Sequence, residues 1–236
     1  MNANAMFQPG DVVPYLDACR AEGASLQRGM NFRLGRQYSV ILMSVRPGAP
    51  YADRIEEDGR VLIYEGHDVP RSRGGPDPKT QDQPLSTPSQ KPTQNGLFVE
   101  AARKYAEGLA PPEPVRVYEK IKTGIWSYAG LFRLVDAWRE SSGERKVIKY
   151  RLELVQGPSI DAETKAADLT LSRVIPTAVK VEVWKRDKGQ CVKCGRKDNL
   201  HFDHILPFSK GGSSLVADNI QLLCARHNIA KRDNIE

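Results

Sequence analysis

Continuous and alternating apolar runs divide the chain into a strand-rich stretch ending near Leu154 and a shorter tail with a different rhythm. Gln37 to Val45 is an almost unbroken apolar run, the pattern of a strand covered on both faces, and Pro47 and Pro50 stop it. Arg60–Tyr64, Pro114–Tyr118, Trp126–Trp138 and Val147–Leu154 are predicted as further strands. Helical spacing is found in three places. Asp11–Ala24 places Val12, Val13, Leu16 and Cys19 on one side; Leu97–Glu107 does so with Phe98, Ala101, Ala102 and Tyr105. A third helix, opened by Pro176, is predicted from Thr177 to Asp187, with Val179, Val183 and Trp184 inward. Residues 1–9 read as a loose tail and Gln27–Gly35 as a basic, glycine-broken loop. Arg71–Gly96, rich in Pro, Gly, Ser, Thr and Gln, reads as a long loop, and Ser159–Leu171 as a polar linker or short helix. The expectation is an α+β fold: a domain over 1–158, a linker over 159–176 and a small domain over 177–236.

The tail carries the most specific chemistry. Cys191-Val-Lys-Cys194 is a two-thiol knuckle, and Cys224-Ala-Arg-His227 adds a Cys and a His three residues apart, on one face of a predicted helix. Four ligands at this spacing predict a structural Zn²⁺ site. The long gap between the pairs leaves room for a hairpin, and it holds Asp203, His204, Pro207, Ser209-Lys-Gly-Gly-Ser213 and Asn219. On a strand Asp203 and His204 point to opposite faces, so a bulge or a strand end is needed for both to reach one phosphate. Asn228 follows His227 and lies about 100° further around the helix, free for a different task.

Charge narrows the partner. The 236 residues carry a formal net charge of +6, which favours a polyanion. Three of the four cysteines belong to the metal set, leaving Cys19 alone. That is the usage of a reducing compartment. The first thirty residues have no basic start followed by an apolar run, and no stretch is long and apolar enough to span a bilayer. The expectation is a cytoplasmic protein without a membrane partner.

Asp203-His204, Pro207, Ser-Lys-Gly-Gly, Asn219 and Asn228 together resemble the HNH nuclease motif, the ββα-metal fold. The resemblance implies that Asp203 and Asn228 hold a catalytic divalent ion, Mg²⁺ or Mn²⁺ or another, that His204 activates water, and that Asn219 positions His204. The last residue of the motif is Asn here, and its neutral amide oxygen suits a hard ion. Upstream, Gln37–Val45, Tyr51-Ala-Asp53, Arg60–Tyr64 and Trp126-Ser-Tyr-Ala-Gly-Leu-Phe-Arg-Leu-Val-Asp-Ala-Trp138 resemble the SRA domain over about residues 24–157. That implies a twisted β-barrel or sheet with flanking helices that flips a modified cytosine. Nearly the whole chain then resembles an SRA–HNH modification-dependent restriction endonuclease. The implied partner is double-stranded DNA containing modified cytosine. HNH modules cut one strand each, so a double-strand cut calls for a homodimer.

A flipped base needs aromatic faces and polar groups for its edge. Tyr51 and Tyr64 are the candidate stacking residues, and Asp53 is the candidate acceptor for the exocyclic amine. Arg71, Arg73, Lys210 and Lys231 are candidate phosphate contacts, as are Lys185 and Arg186. Two other readings stay open: a reader of modified DNA with an inert tail, and an HNH nuclease or nickase indifferent to modification.

Overall fold

The computed structural model describes residues 7–27, 29–155, 175–207 and 210–231. In chain order the strands are β1 (Val12–Pro14), β2 (Met30–Asn31), β3 (Ser39–Met43), β4 (Arg54–Glu56), β5 (Val61–Glu65), β6 (Glu113–Lys122), β7 (Ile125–Ser142), β8 (Arg145–Leu154), β9 (Leu200–His204) and β10 (Ile220–Cys224). The helices are α1 (Tyr15–Glu22), α2 (Gln94–Ala106), α3 (Thr177–Arg186) and α4 (Ala225–Lys231). The mixed α+β architecture is the one expected.

The large sheet has the order β2-β3-β6-β7-β8-β5-β4, with β1 paired to the start of β7. Every pairing is antiparallel except β3 with β6. β7 bends where its register with β8 slips between Leu134 and Asp136, as a bulge requires. The main core gathers Ile41, Leu62, Tyr64, Val117, Phe132 and Tyr150. α2 covers it with Phe98 and Ala102. This helix starts earlier than predicted, because the Thr93 side chain accepts the Gly96 N–H and caps it.

The predicted apolar face of α1 is corrected. Val12–Pro14 is spent on β1, so the helix begins at Tyr15 in a different register, and Leu16 is 63% exposed. The inward residues are Ala18 and Glu22, and the Glu22 carboxylate accepts from Tyr38 Oη and Arg116 Nε.

The linker falls mostly outside the described residues, but the two ends of the chain meet in one core. Ile121 of β6 packs with Ile175, Val179 and Val183 and with Leu200, Phe202 and Leu222 of the small hairpin. Phe202 N donates to Gly10 O at 3.1 Å, and Asp11 pairs with His201. Lys180 Nζ lies 2.8 Å from Glu119 Oε2 with both side chains buried, and the Thr177 hydroxyl adds a third group. Removing one partner of a buried pair strands the other charge. Lys180→Ala is therefore expected to lower stability by about 3–5 kcal/mol in urea unfolding. A loss of a few tenths would show that water reaches Glu119 freely. Among the described residues no helix is long and apolar enough to cross a membrane.

Candidate functional site: metal cluster, HNH hairpin and aromatic cavity

The tail folds around sulfur and nitrogen ligands. Cys191 and Cys194 lie in the loop before β9, Cys224 ends β10, and His227 stands on α4. Their ligand atoms all lie within 4.8 Å of one another. Cys194 Sγ is 3.8 Å from Cys224 Sγ, and His227 Nδ1 is 3.3 Å from Cys191 Sγ and 3.5 Å from Cys224 Sγ. A tetrahedral ion with Zn–S near ~2.3 Å separates its sulfur ligands by about 3.8 Å, so the donor set fits. Burial opposes ionisation of Cys191, yet the Cys224 backbone amide, His227 and the knuckle's own backbone outweigh it and bring the thiol down to about 6. The four predicted ligands converge as a Cys₃His cluster, which is a metal-binding arrangement.

His204 is the last residue of β9, opposite Ile220 of β10. Its Nε2 lies 2.8 Å from Ser214 Oγ, a buried hydroxyl that sequence reasoning did not single out. Burial lowers the His204 pKa, Lys231 lowers it further, and the Asp203 carboxylate only partly offsets them. The imidazole is thus neutral at neutral pH. Asn219 makes no hydrogen bond to His204. Its Oδ1 accepts from Leu206 N at 2.8 Å, and its Nδ2 donates to Leu206 O and Ser213 O, each at 3.0 Å. It closes the loop that delivers Ser214, so any positioning of His204 runs through that loop. Gly212 is required there, since a Cβ would collide with the Leu206 carbonyl and the Asn219 amide.

Lys231 is corrected. Predicted on DNA phosphate, it is 2% exposed, with Nζ 2.9 Å from Asp203 Oδ2 and donating to the His204 carbonyl. Asp203 Oδ2 is buried, and its approach to Lys231 lacks the angles of a hydrogen bond, which leaves lone pairs for a hard ion. Asn228 lies three residues before Lys231 and shares its helix face, the face that meets the end of β9. Arg186 is also corrected. It pairs with Asp187 and donates to the carbonyls of Ala217 and Ile220, bracing the hairpin while its side chain stays 39% exposed.

The second candidate site is a cavity of about 1210 Å³ bordered by Tyr51, His67, Asp68, Arg71, Thr93 and Asn95. Tyr51 stacks on His67, centroids 5.6 Å apart and rings inclined by 21°, and Lys79 Nζ sits 4.3 Å from the Tyr51 centroid. His67 was missed. Burial holds its pKa down at about 4, so it offers a neutral ring. The backbone beside Tyr51 is clamped: Lys149 Nζ donates to Ala52 O, and Ala52 N donates to Glu65 Oε2. Two predictions fail here. Tyr64 is only 1% exposed, packs on Tyr150 in the core and gives its hydroxyl to a 2.9 Å bond with His67 Nε2. It supports the cavity wall instead of stacking on a base. Asp53 uses its two oxygens to accept Ser44 N at 3.0 Å and Glu65 N at 2.9 Å. Burial raises its pKa to about 6 against those two bonds. It ties the Tyr51 loop to β5 and is no free acceptor. Arg71, Arg73 and Lys210 are exposed.

Comparison with known proteins finds one family match. Residues 191–234 match the HNH endonuclease family. No curated protein is significantly similar to the chain. Among solved structures, the SUVH5 SRA domain with hemimethylated CG DNA is similar at 24% identity and a TM-score of 0.45, over 66% of this chain and 94% of that one. The same domain bound to fully hydroxymethylated CG DNA shows 22% identity and a TM-score of 0.45, over 66% and 95%. ScoMcrA, a type IV phosphorothioation-dependent restriction endonuclease, shows 17% identity and a TM-score of 0.44, over 97% of this chain and 56% of that one. The HNH match covers the cluster, the hairpin and α4 described above.

Proposed function

We propose that the chain is a DNA endonuclease that recognises a modified cytosine with its N-terminal domain and hydrolyses a nearby phosphodiester at its HNH hairpin. The observation that carries this reading is a neutral, half-buried His204 beside Asp203, held by Ser214, within the HNH-matching stretch. With Nε2–H donating to Ser214 Oγ, the Nδ1 lone pair faces the water and takes its proton. Asn219 keeps the loop closed so that His204 holds one rotamer. A divalent ion on Asp203 and Asn228 would supply charge stabilisation for the departing oxygen. The Cys₃His cluster would take Zn²⁺ and hold β10 against α4.

In the N-terminal domain, the clamped Tyr51 and neutral His67 supply aromatic faces at a cavity wide enough for a flipped base. A small apolar niche for a methyl group adds about 1–3 kcal/mol of preference. Since one HNH site cuts one strand, two copies act on a duplex.

The test is incubation of the purified protein with matched unmodified, methylated and hydroxymethylated plasmids and Mg²⁺ or Mn²⁺. Modified plasmid alone should be cut. Modified DNA bound but left intact would make the protein a reader; equal cutting of all three would make it an indifferent nuclease. Tyr51→Ala should lower affinity for modified duplex roughly tenfold, as loss of about 1–3 kcal/mol of stacking implies, with unmodified binding unchanged. An unaltered preference would move recognition to another cavity.

A further inference from the structure

A groove of about 1090 Å³ runs between the N-terminal sheet and α3. Ile121 and the Trp184 ring form part of its floor, and Arg46, Lys122, Lys185 and Lys188 line it against one carboxylate, Glu182. Lys122 Nζ lies 5.3 Å from the Trp184 centroid. None of the four cations forms an ion pair among the described residues. Two exposed arginines elsewhere are neutralised: Arg103 is held by Glu100 and Glu107, and Arg151 by Glu57 and Glu153. A solvated face would also carry lysines. What sets this groove apart is where its ends lie. At one end Val45, Arg46 and Pro47 follow Ser44, whose N–H holds Asp53 and with it the Tyr51 loop. At the other, Arg186 donates to the Ala217 and Ile220 carbonyls, which flank Asn219 in the hairpin that carries His204.

We propose that this groove is a phosphate track: the sugar–phosphate backbone of the DNA lies in it between the aromatic cavity and the HNH hairpin. The proposal rests on the endonuclease reading above and adds the path by which one DNA molecule reaches both sites. Four cations facing one carboxylate give the groove the sign of charge a polyanion needs. The apolar floor accommodates the deoxyribose faces between phosphates.

The experiment is a fluorescence anisotropy titration of the full chain with labelled methylated and unmodified duplexes across a series of salt concentrations. Each phosphate contact removed lowers the slope of log K against log salt by about 0.9, so Arg46→Gln, Lys122→Gln and Lys185→Gln together should lower it by about 2.7 for both duplexes. Lys185→Ala alone, at a single exposed position, should lower it by about 0.9 and guards against misfolding of the triple variant. Arg103→Gln, on the outer face of α2, should leave it unchanged. An unchanged slope in the triple variant, or an equal drop in Arg103→Gln, would overturn the track while leaving the endonuclease reading standing. A parent protein that binds neither duplex would overturn both.

Discussion

His204→Ala is expected to abolish DNA cleavage while DNA affinity stays within about twofold of the parent. A positioned general base contributes roughly 10²–10⁴-fold, and no other imidazole lies within reach among the described residues. His201 is tied to Asp11 and His227 to the cysteine cluster. His67 is bonded to Tyr64 in the N-terminal domain. The side chain is half-buried and faces Ser214, so its removal vacates a small space without exposing the hairpin core of Leu200, Phe202 and Leu222. Cleavage would be followed by nicking of supercoiled modified plasmid, and affinity by anisotropy on the same DNA. Residual cutting within tenfold of the parent would remove His204 from the proposed mechanism. Ser214→Ala gives an intermediate expectation: a base that is present but free to rotate, with a lower rate and unchanged affinity.

The contrast between what patterning revealed and what it hid follows from the range of the interactions. β3 and β5 were legible because strands covered on both faces must be apolar at nearly every position, and β8 because Ile148, Tyr150, Leu152 and Leu154 alternate with charged residues. The metal cluster was legible because ligand types and helical spacing are local properties. Tyr64 was misread for the same reason that β5 was found. In a strand buried on both sides, alternation does not tell a core aromatic from one lining a cavity, and only pairing with Tyr150 across β8 places it. Lys231 was misread because a cation at a helix end ordinarily points to solvent, whereas here α4 lies against the end of β9 and Asp203 draws the ammonium inward. Ser214 and His67 depend on loop closure and stacking between residues far apart in space, and neither leaves a periodic trace. Asp53 shows a subtler limit. It is an acid close to Tyr51, one place earlier than the resemblance implies, and two backbone amides already occupy its oxygens.

Cys191→Ser is expected to cost more than any other single change in the tail. Sites of this kind supply about 10–16 kcal/mol of apparent binding free energy in small zinc modules, all of it folding energy. The hairpin has only two short strands, which do not stand alone in water. It depends on the cluster at one end and on the shared core with Ile121 and α3 at the other. Losing the metal should unfold β9, β10 and α4, while the large sheet, with its separate core, still melts cooperatively. Metal content by mass spectrometry should fall from one zinc per chain to none, and hydrogen exchange protection should vanish for Leu200–His204 and Ile220–Cys224 but persist in β5–β8. Cleavage should disappear with it, although Cys191 lies outside the Asp203, His204 and Asn228 set. A variant that keeps stoichiometric zinc, or one whose hairpin amides stay protected without it, would show that the shared core alone holds the hairpin in place.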